Sequence, residues 1–121
     1  MNLLDYLREE LVRLMKRREK VALRAVRDAI SAIQNAETSY VAAPATVAPA
    51  SEFVAGGVQF GHAERVVQAL TDEQMMSLAR GEVARRLDEA VRMRDLGEVD
   101  RALMLKAEAL ALGDRLDAYA A

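Results

Sequence analysis

The chain has 121 residues, no cysteine, one histidine and a formal net charge of −2. Its length suits one domain spanning 1–121, and the missing cysteines exclude disulfides, thiolate metal ligands and a cysteine nucleophile. The small net charge gives the whole molecule no attraction to polyanions. Aromatic residues make up 4% of the sequence and there is no tryptophan, which favours helices over an aromatic-rich β-sheet.

Two helices are predicted at the start of the chain, over about 2–17 and 19–37. Asn2 is a suitable N-cap for the first, and Asp5 suits the positive end of its dipole. The first helix carries an apolar stripe at helical spacing, formed by Leu3, Leu4, Leu7, Leu11, Leu14 and Met15. The second repeats the pattern with Leu23, Val26, Ile30 and Ile33. Because the connection between them is so short, they should form an antiparallel hairpin.

A long loop is predicted over about 38–61, where helical periodicity is absent and proline and glycine are frequent. A loop of this length is unusual in a compact domain, so it should be functional or disordered. We leave open a short helix over about 62–70.

Two further helices are predicted over about 72–96 and 98–118. Thr71 and Gln74 have the spacing of a capping box, and Gly97 suits the residue that ends the third helix. The third helix should bury Met76, Ala79, Val83, Leu87, Ala90 and Val91. The fourth should bury Ala102, Leu103, Leu105, Ala109, Leu110, Leu112 and Leu116. The prediction is therefore an all-α fold of two antiparallel helical hairpins packed as a small bundle.

Several short motifs follow one another in a familiar order. The first hairpin contains LMKRREK (14–20), LRAVR (23–27) and AIQNAE (32–37). The second contains LTDE (70–73), a stretch from Glu82 to Arg86, and LGEVDRA (96–102). Outside the loop, this pattern resembles the GatB/YqeY family over about three quarters of the chain.

The resemblance implies a helical domain related to the tail of the B subunit of the tRNA-dependent amidotransferase. That enzyme converts Glu or Asp on a charged tRNA into Gln or Asn, and its tail is associated with tRNA. Family membership would also carry the label of carbon–nitrogen ligase with glutamine as amido-N-donor. Longer relatives continue into another helical subdomain, so we expect a short form that lacks it.

No catalytic, cofactor-binding or metal-binding residues are predicted. His62 is the single histidine, and Ser51 is the only serine close to it in the sequence, so a Ser/His/Asp triad is not supported. The segment Gly56–Gly61 lacks the Lys-Ser/Thr of a phosphate-binding loop. The acids are spread along helix faces rather than converging as a cation site would require. We therefore expect no intrinsic enzymatic activity.

The charged residues of the two hairpins differ. On the third helix, Glu82–Arg86, Arg85–Glu89 and Asp88–Arg92 have the spacing of ion pairs, which predicts a solvated face. In the first hairpin, Glu9 can pair with Arg13 and Arg24 with Asp28, but several cations have few acidic neighbours. The candidate binding residues are therefore Lys16, Arg17, Arg18, Lys20, Arg24, Arg27 and Gln34.

Two functions remain open for this basic strip. It could follow a phosphate backbone, so that the chain acts as an accessory or adaptor module in tRNA or aminoacyl-tRNA metabolism, with weak, salt-dependent binding of tRNA or of a related protein. Alternatively, the chain is a protein-interaction or helical-assembly module with no nucleic-acid role, and the cations only solubilise its surface. The sequence from Met1 to Asp5 lacks the features of a signal peptide, and we expect a cytoplasmic protein without membrane contact.

Overall fold

Four helices form the part of the chain that the computed structural model describes, which is 1–47 and 69–121, with side chains described for 1–38 and 69–121. They are α1 (Leu3–Arg17), α2 (Lys20–Val47), α3 (Asp72–Asp95) and α4 (Val99–Ala120). These residues contain no strand, so the predicted all-α fold is confirmed. Across the same ranges, none of the helices combines the length and apolar character needed to span a bilayer.

Local signals in the sequence set both ends of α1. The Asp5 N–H donates to the Asn2 side chain at 2.9 Å, and the Asn2 N–H donates to the Asp5 carboxylate at 3.2 Å. This reciprocal capping box satisfies two backbone donors at the helix start. At the other end Arg18 is left-handed, with φ 57°. The Glu19 N–H then donates to the Leu14 carbonyl at 3.1 Å, which closes the helix as a Schellman motif.

The second hairpin turns at Gly97, as predicted. Gly97 has φ 87°, a conformation that costs glycine little because it has no Cβ. The Glu98 N–H donates to the Met93 carbonyl at 2.8 Å, and the Gly97 N–H donates to the Arg94 carbonyl at 2.9 Å. These two bonds satisfy carbonyls at the end of α3, and α4 begins two residues later.

The predicted loop over 38–61 is wrong for its first ten residues, because α2 continues to Val47. The missing apolar periodicity suggested a loop, but a helix does not need an apolar stripe where alanine supplies strong intrinsic propensity. This segment contains Ala42, Ala43 and Ala45. The remainder of the predicted loop lies outside the described residues. The same holds for 62–68 of the predicted short helix, and residues 69–70 are not helical.

Contacts between Cα atoms divide the chain into two compact units. One combines Met1–Ile33 with Asp72–Ala121, and the other is Gln34–Thr71. The first unit contains α1, α3, α4 and the beginning of α2. Its core is built from one face of each helix, and its fully buried large side chains are Leu3, Leu7, Leu14, Val26, Ile33, Leu112 and Leu116. Alanines such as Ala25, Ala29 and Ala79 are also fully buried and allow close helix packing.

Several predicted core residues are instead exposed. Leu87 and Val91 of α3 are exposed, as are Leu103 and Leu110 of α4 and Met15 of α1. The apolar pattern gives the direction of a side chain but not whether another element covers it. The Leu3 N–H donates to Asp72 at the start of α3, so α1 and α3 begin at the same end of this unit. α3 has 24 residues and α1 has 15, so α3 is about 13 Å longer than α1.

Candidate functional site

The connection between α1 and α2 carries four basic residues. Lys16 and Arg17 end α1, Arg18 is its left-handed cap, and Lys20 begins α2. All four side chains are exposed. We call these four residues the basic turn. Among the described residues, the only acid within ion-pair distance of them is Glu19, 3.9 Å from Arg17.

Two members of the basic turn occupy positions that local energetics disfavour. Arg18 is the only non-glycine residue with positive φ in the described ranges, a conformation that costs an L-residue about 1–2 kcal/mol. Lys20 places a cation at the positive end of the α2 dipole, and the first turn of α2 contains no acid. Lys16 and Arg17, by contrast, lie where the α1 dipole favours a cation. Helix stability therefore accounts for the positions of Lys16 and Arg17 but not for those of Arg18 and Lys20.

The remaining candidates on α2 have different environments. Arg27 is exposed, and no acid of the described residues lies within ion-pair distance of it. Arg24 does not pair with Asp28 as predicted but donates to Glu108 of α4 at 3.1 Å. Gln34 is exposed and belongs to the other compact unit. The structure therefore supports Arg27 as a free cation near the basic turn and assigns Arg24 an ion pair inside the first unit.

The predicted solvated face of α3 is wrong at Arg86, which is only 4% exposed. Its Nε donates to Glu108 at 3.0 Å, its Nη1 to Glu82 at 3.0 Å and its Nη2 to Asp28. Glu108 is itself only 2% exposed and also accepts from Arg24. Ion pairs therefore connect α2, α3 and α4 through one buried guanidinium.

This buried network is fully satisfied. Among the described side chains, no buried nitrogen or oxygen lacks a hydrogen-bond partner. Burial opposes the charge of Arg86, but hydrogen bonds to Asp28 and Glu108 outweigh it and raise the pKa of Arg86. Each nitrogen of the buried Arg86 guanidinium already donates to a carboxylate. We therefore interpret the network as structural.

Sequence reasoning missed this network, although a signal was present. Glu108 lies between Leu105 and Leu112 on the apolar stripe of α4, and Arg86 lies between Ala79 and Ala90 on that of α3. A charge within a buried stripe requires a buried partner. The predicted ion pair between Glu82 and Arg86 is present, but the other two predicted pairs of α3 are not, because i,i+3 neighbours pair instead. Arg85 bonds Glu82 at 2.7 Å, and Arg92 bonds Glu89.

A second polar cluster joins the ends of α1, α3 and α4. Asp72 accepts from the Leu3 N–H at 2.7 Å and from the Tyr119 hydroxyl. These two bonds lower the pKa of Asp72, and the bond to Asp72 raises the pKa of Tyr119. The ring of Tyr119 lies against that of Tyr6, with centroids 5.1 Å apart. Asp72 therefore caps the N-terminus of α1 from another helix.

Neither polar cluster resembles a catalytic or metal centre. Within 1–47 and 69–121, no group of three or more His, Asp or Glu residues could hold a metal ion. His62 and the segment Gly56–Gly61 lie outside the described residues. Comparison with known proteins gives no further assignment, because no protein family, curated protein or solved structure matches this chain.

Proposed function

We propose that this chain is a non-catalytic helical adaptor in tRNA or aminoacyl-tRNA metabolism that contacts RNA phosphates through the basic turn and Arg27. The observation that carries the proposal is the set of exposed cations formed by the basic turn and Arg27. Among the described residues, only Arg17 of this set has an acid within ion-pair distance. We choose tRNA as the RNA to test because the motifs of this chain resemble those of the GatB/YqeY family.

The arrangement of these cations suits contact with the phosphate backbone better than recognition of bases. Lysine and arginine on mobile, exposed side chains neutralise phosphates and release counterions. Arg27 lies seven residues after Lys20 on α2, which places it two helical turns, or about 10 Å, further along. Cations spaced in this way can contact more than one phosphate of an RNA backbone. The positions of Arg18 and Lys20, which helix stability does not explain, support a role in binding.

The total charge sets the expected strength of binding. The chain carries 17 Lys and Arg residues against 19 Asp and Glu residues, so the acids of the second hairpin oppose the approach of RNA. Binding should therefore be weak and should fall steeply as salt is added.

A neutralising variant of the first hairpin tests the proposal directly. The turn variant carries four substitutions: Lys16→Gln, Arg17→Gln, Lys20→Gln and Arg27→Gln. Fluorescence anisotropy with labelled tRNA at low salt should show a loss of affinity of at least tenfold, since each lost phosphate contact weakens binding. Circular dichroism should show unchanged helicity, because all four side chains are exposed.

The matched control removes the same charge from the second hairpin. It carries Arg80→Gln, Arg85→Gln, Arg92→Gln and Arg101→Gln, again at exposed positions. We expect this control to bind tRNA within about twofold of the unmodified chain, apart from the general effect of net charge. Equal losses in the turn variant and the control would contradict a role for the basic turn.

A specific observation favours a second candidate function, which is binding of another protein. The second hairpin exposes Leu87, Val91, Val99 and Leu103 on neighbouring helices. Scattered exposed leucines are ordinary, but adjacent ones typically mark an interaction surface. An adaptor with one surface for RNA and another for protein would use both features.

A further inference from the structure

The exposed apolar residues of the second hairpin surround a pocket between α3 and α4. Its walls and floor are formed by Leu87, Val91, Val99, Leu103, Ala90 and Ala102. The two alanines are buried, whereas the four larger residues are exposed and leave the pocket open to solvent. The pocket volume is about 270 Å³, larger than the cavity of roughly 150 Å³ that accommodates benzene. We call this pocket the apolar groove.

The charges at the apolar groove have one sign. Its two charged lining residues are Arg94 and Lys106, and none of the acids that the structure describes lines it. Arg94 approaches Asp95 at 3.8 Å, where both side chains are about two-thirds exposed, so this pair is weak. Lys106 has no acid within ion-pair distance among the described residues. A ligand of the groove should therefore combine apolar groups with negative charge.

The shape of the groove favours a helix. Its lining residues extend from Leu87 to Arg94 on α3 and from Val99 to Lys106 on α4. Each span covers eight residues, about 10 Å or two helical turns. A third helix can lie between two antiparallel helices and insert apolar side chains at i, i+3 or i+4, and i+7. Two turns provide three such anchors.

We propose that the apolar groove binds an acidic amphipathic helix of a partner protein. The apolar face of that helix contacts Leu87, Val91 and Leu103, and its carboxylates pair with Arg94 and Lys106. This proposal rests on the second candidate function and supplies the chemistry of the partner. It does not depend on RNA binding, which uses a different hairpin.

Charge disfavours a second copy of this chain as the occupant. A two-fold pairing of grooves brings the same patch of each copy together. This would place two arginines and two lysines near one another, and none of the described acids lines the groove.

Two synthetic peptides and the full chain test the proposal. Both peptides are helical and carry leucine at i, i+3 and i+7; one has glutamate and the other lysine at the remaining positions. In a titration followed by ¹⁵N NMR, the glutamate peptide should shift the amide signals around Val91 and Leu103, and the lysine peptide should leave them unchanged. No shift with the glutamate peptide, or equal shifts with both peptides, would overturn the proposal.

Exposed leucines provide a matched pair of variants. Leu103 is 61% exposed and lines the groove, whereas Leu110 is 56% exposed on the same helix and does not line it. Leu103→Ser should weaken binding of the glutamate peptide about tenfold, as expected for loss of an apolar anchor. Leu110→Ser should bind like the unmodified chain. Equal effects of the two substitutions would contradict a site at the groove.

Charge reversal and sedimentation complete the test. The double variant Arg94→Glu, Lys106→Glu should lose affinity for the glutamate peptide and gain affinity for the lysine peptide. Sedimentation equilibrium should show a monomer; a dimer that Leu103→Ser abolishes would assign the groove to a second copy and overturn the proposal. The turn variant should bind the peptide normally, so failure of tRNA binding and failure of peptide binding can be distinguished.

Discussion

Arg86 and Glu108 are the two buried charged side chains among the described residues of the first unit. Both are almost fully buried, and each has more than one partner. Removing one member of such a pair leaves the other as an uncompensated buried charge. Replacing such a network with apolar side chains of similar volume can be neutral or stabilising, so a buried network is weak evidence for a large net gain in stability.

Removing Arg86 alone should therefore destabilise the chain more than replacing Arg86 and Glu108 together. We predict that Arg86→Ala lowers the free energy of unfolding by about 3 kcal/mol, because Glu108 then retains only Arg24. The double variant Arg86→Met, Glu108→Leu should recover most of that loss. Urea denaturation measures both, and Arg85→Ala is the control, since its exposed side chain should change stability by less than about 0.5 kcal/mol. A loss below about 1 kcal/mol for Arg86→Ala would contradict the role of the network.

A substitution of Arg18, in contrast, is predicted to raise the free energy of unfolding. Glycine adopts its left-handed conformation, φ 57°, without the steric cost of a Cβ. We predict that Arg18→Gly raises the free energy of unfolding by about 0.5–1 kcal/mol, whereas Arg18→Ala, which keeps the Cβ, should not. If Arg18→Gly also weakens tRNA binding, stability and binding oppose each other at this residue. A destabilised Arg18→Gly variant would show that the cap is not strained.

At the scale of helices, the cluster around Asp72 connects three elements through one carboxylate. The hydrogen bonds from Tyr119 and Leu3 lower the pKa of Asp72 below its ordinary value of 3.8. The charged form is therefore favoured in the folded chain. Its contribution to stability is complete above pH 3.8 and is lost as the pH falls through the lower folded pKa.

The variant Asp72→Asn should reveal this pH dependence. We predict that it melts at a lower temperature than the unmodified chain near neutral pH, and that the difference shrinks as the pH falls below 3.8. Circular dichroism melts across this range measure the difference. Asp95→Asn is the control, because Asp95 is exposed and contacts only Arg94 at 3.8 Å among the described residues. A difference for Asp72→Asn that is independent of pH would contradict the assignment.

The sequence predicts the helices best where a local signal marks their ends. Asn2, Thr71 and Gly97 each identify a boundary that lies within a residue or two of the observed one, because capping depends only on neighbouring residues. The end of α2 has no such signal, and the prediction stopped too early. Burial of Leu87 and Leu103 was also predicted wrongly, since coverage depends on the relative lengths of distant helices.

At the scale of the whole molecule, the candidate site was predicted only in part. The basic turn follows from the sequence because its four cations lie within five residues of one another, and Glu19 is the only acid among them. The sequence spacing predicts that Arg24 pairs with Asp28, but its partner in the structure is Glu108, which is 84 residues away. The apolar groove was not predicted, because it is formed jointly by residues of α3 and α4 and depends on how these two helices pack.

The salt dependence of tRNA binding tests the central proposal most directly. In a plot of the logarithm of affinity against the logarithm of salt concentration, each phosphate contact contributes a slope of about −0.7 to −0.9. The turn variant lacks four cations, so its slope should be shallower than that of the unmodified chain by about three. The control lacking Arg80, Arg85, Arg92 and Arg101 should keep the original slope. Identical slopes for the unmodified chain and the turn variant would contradict phosphate binding by the basic turn.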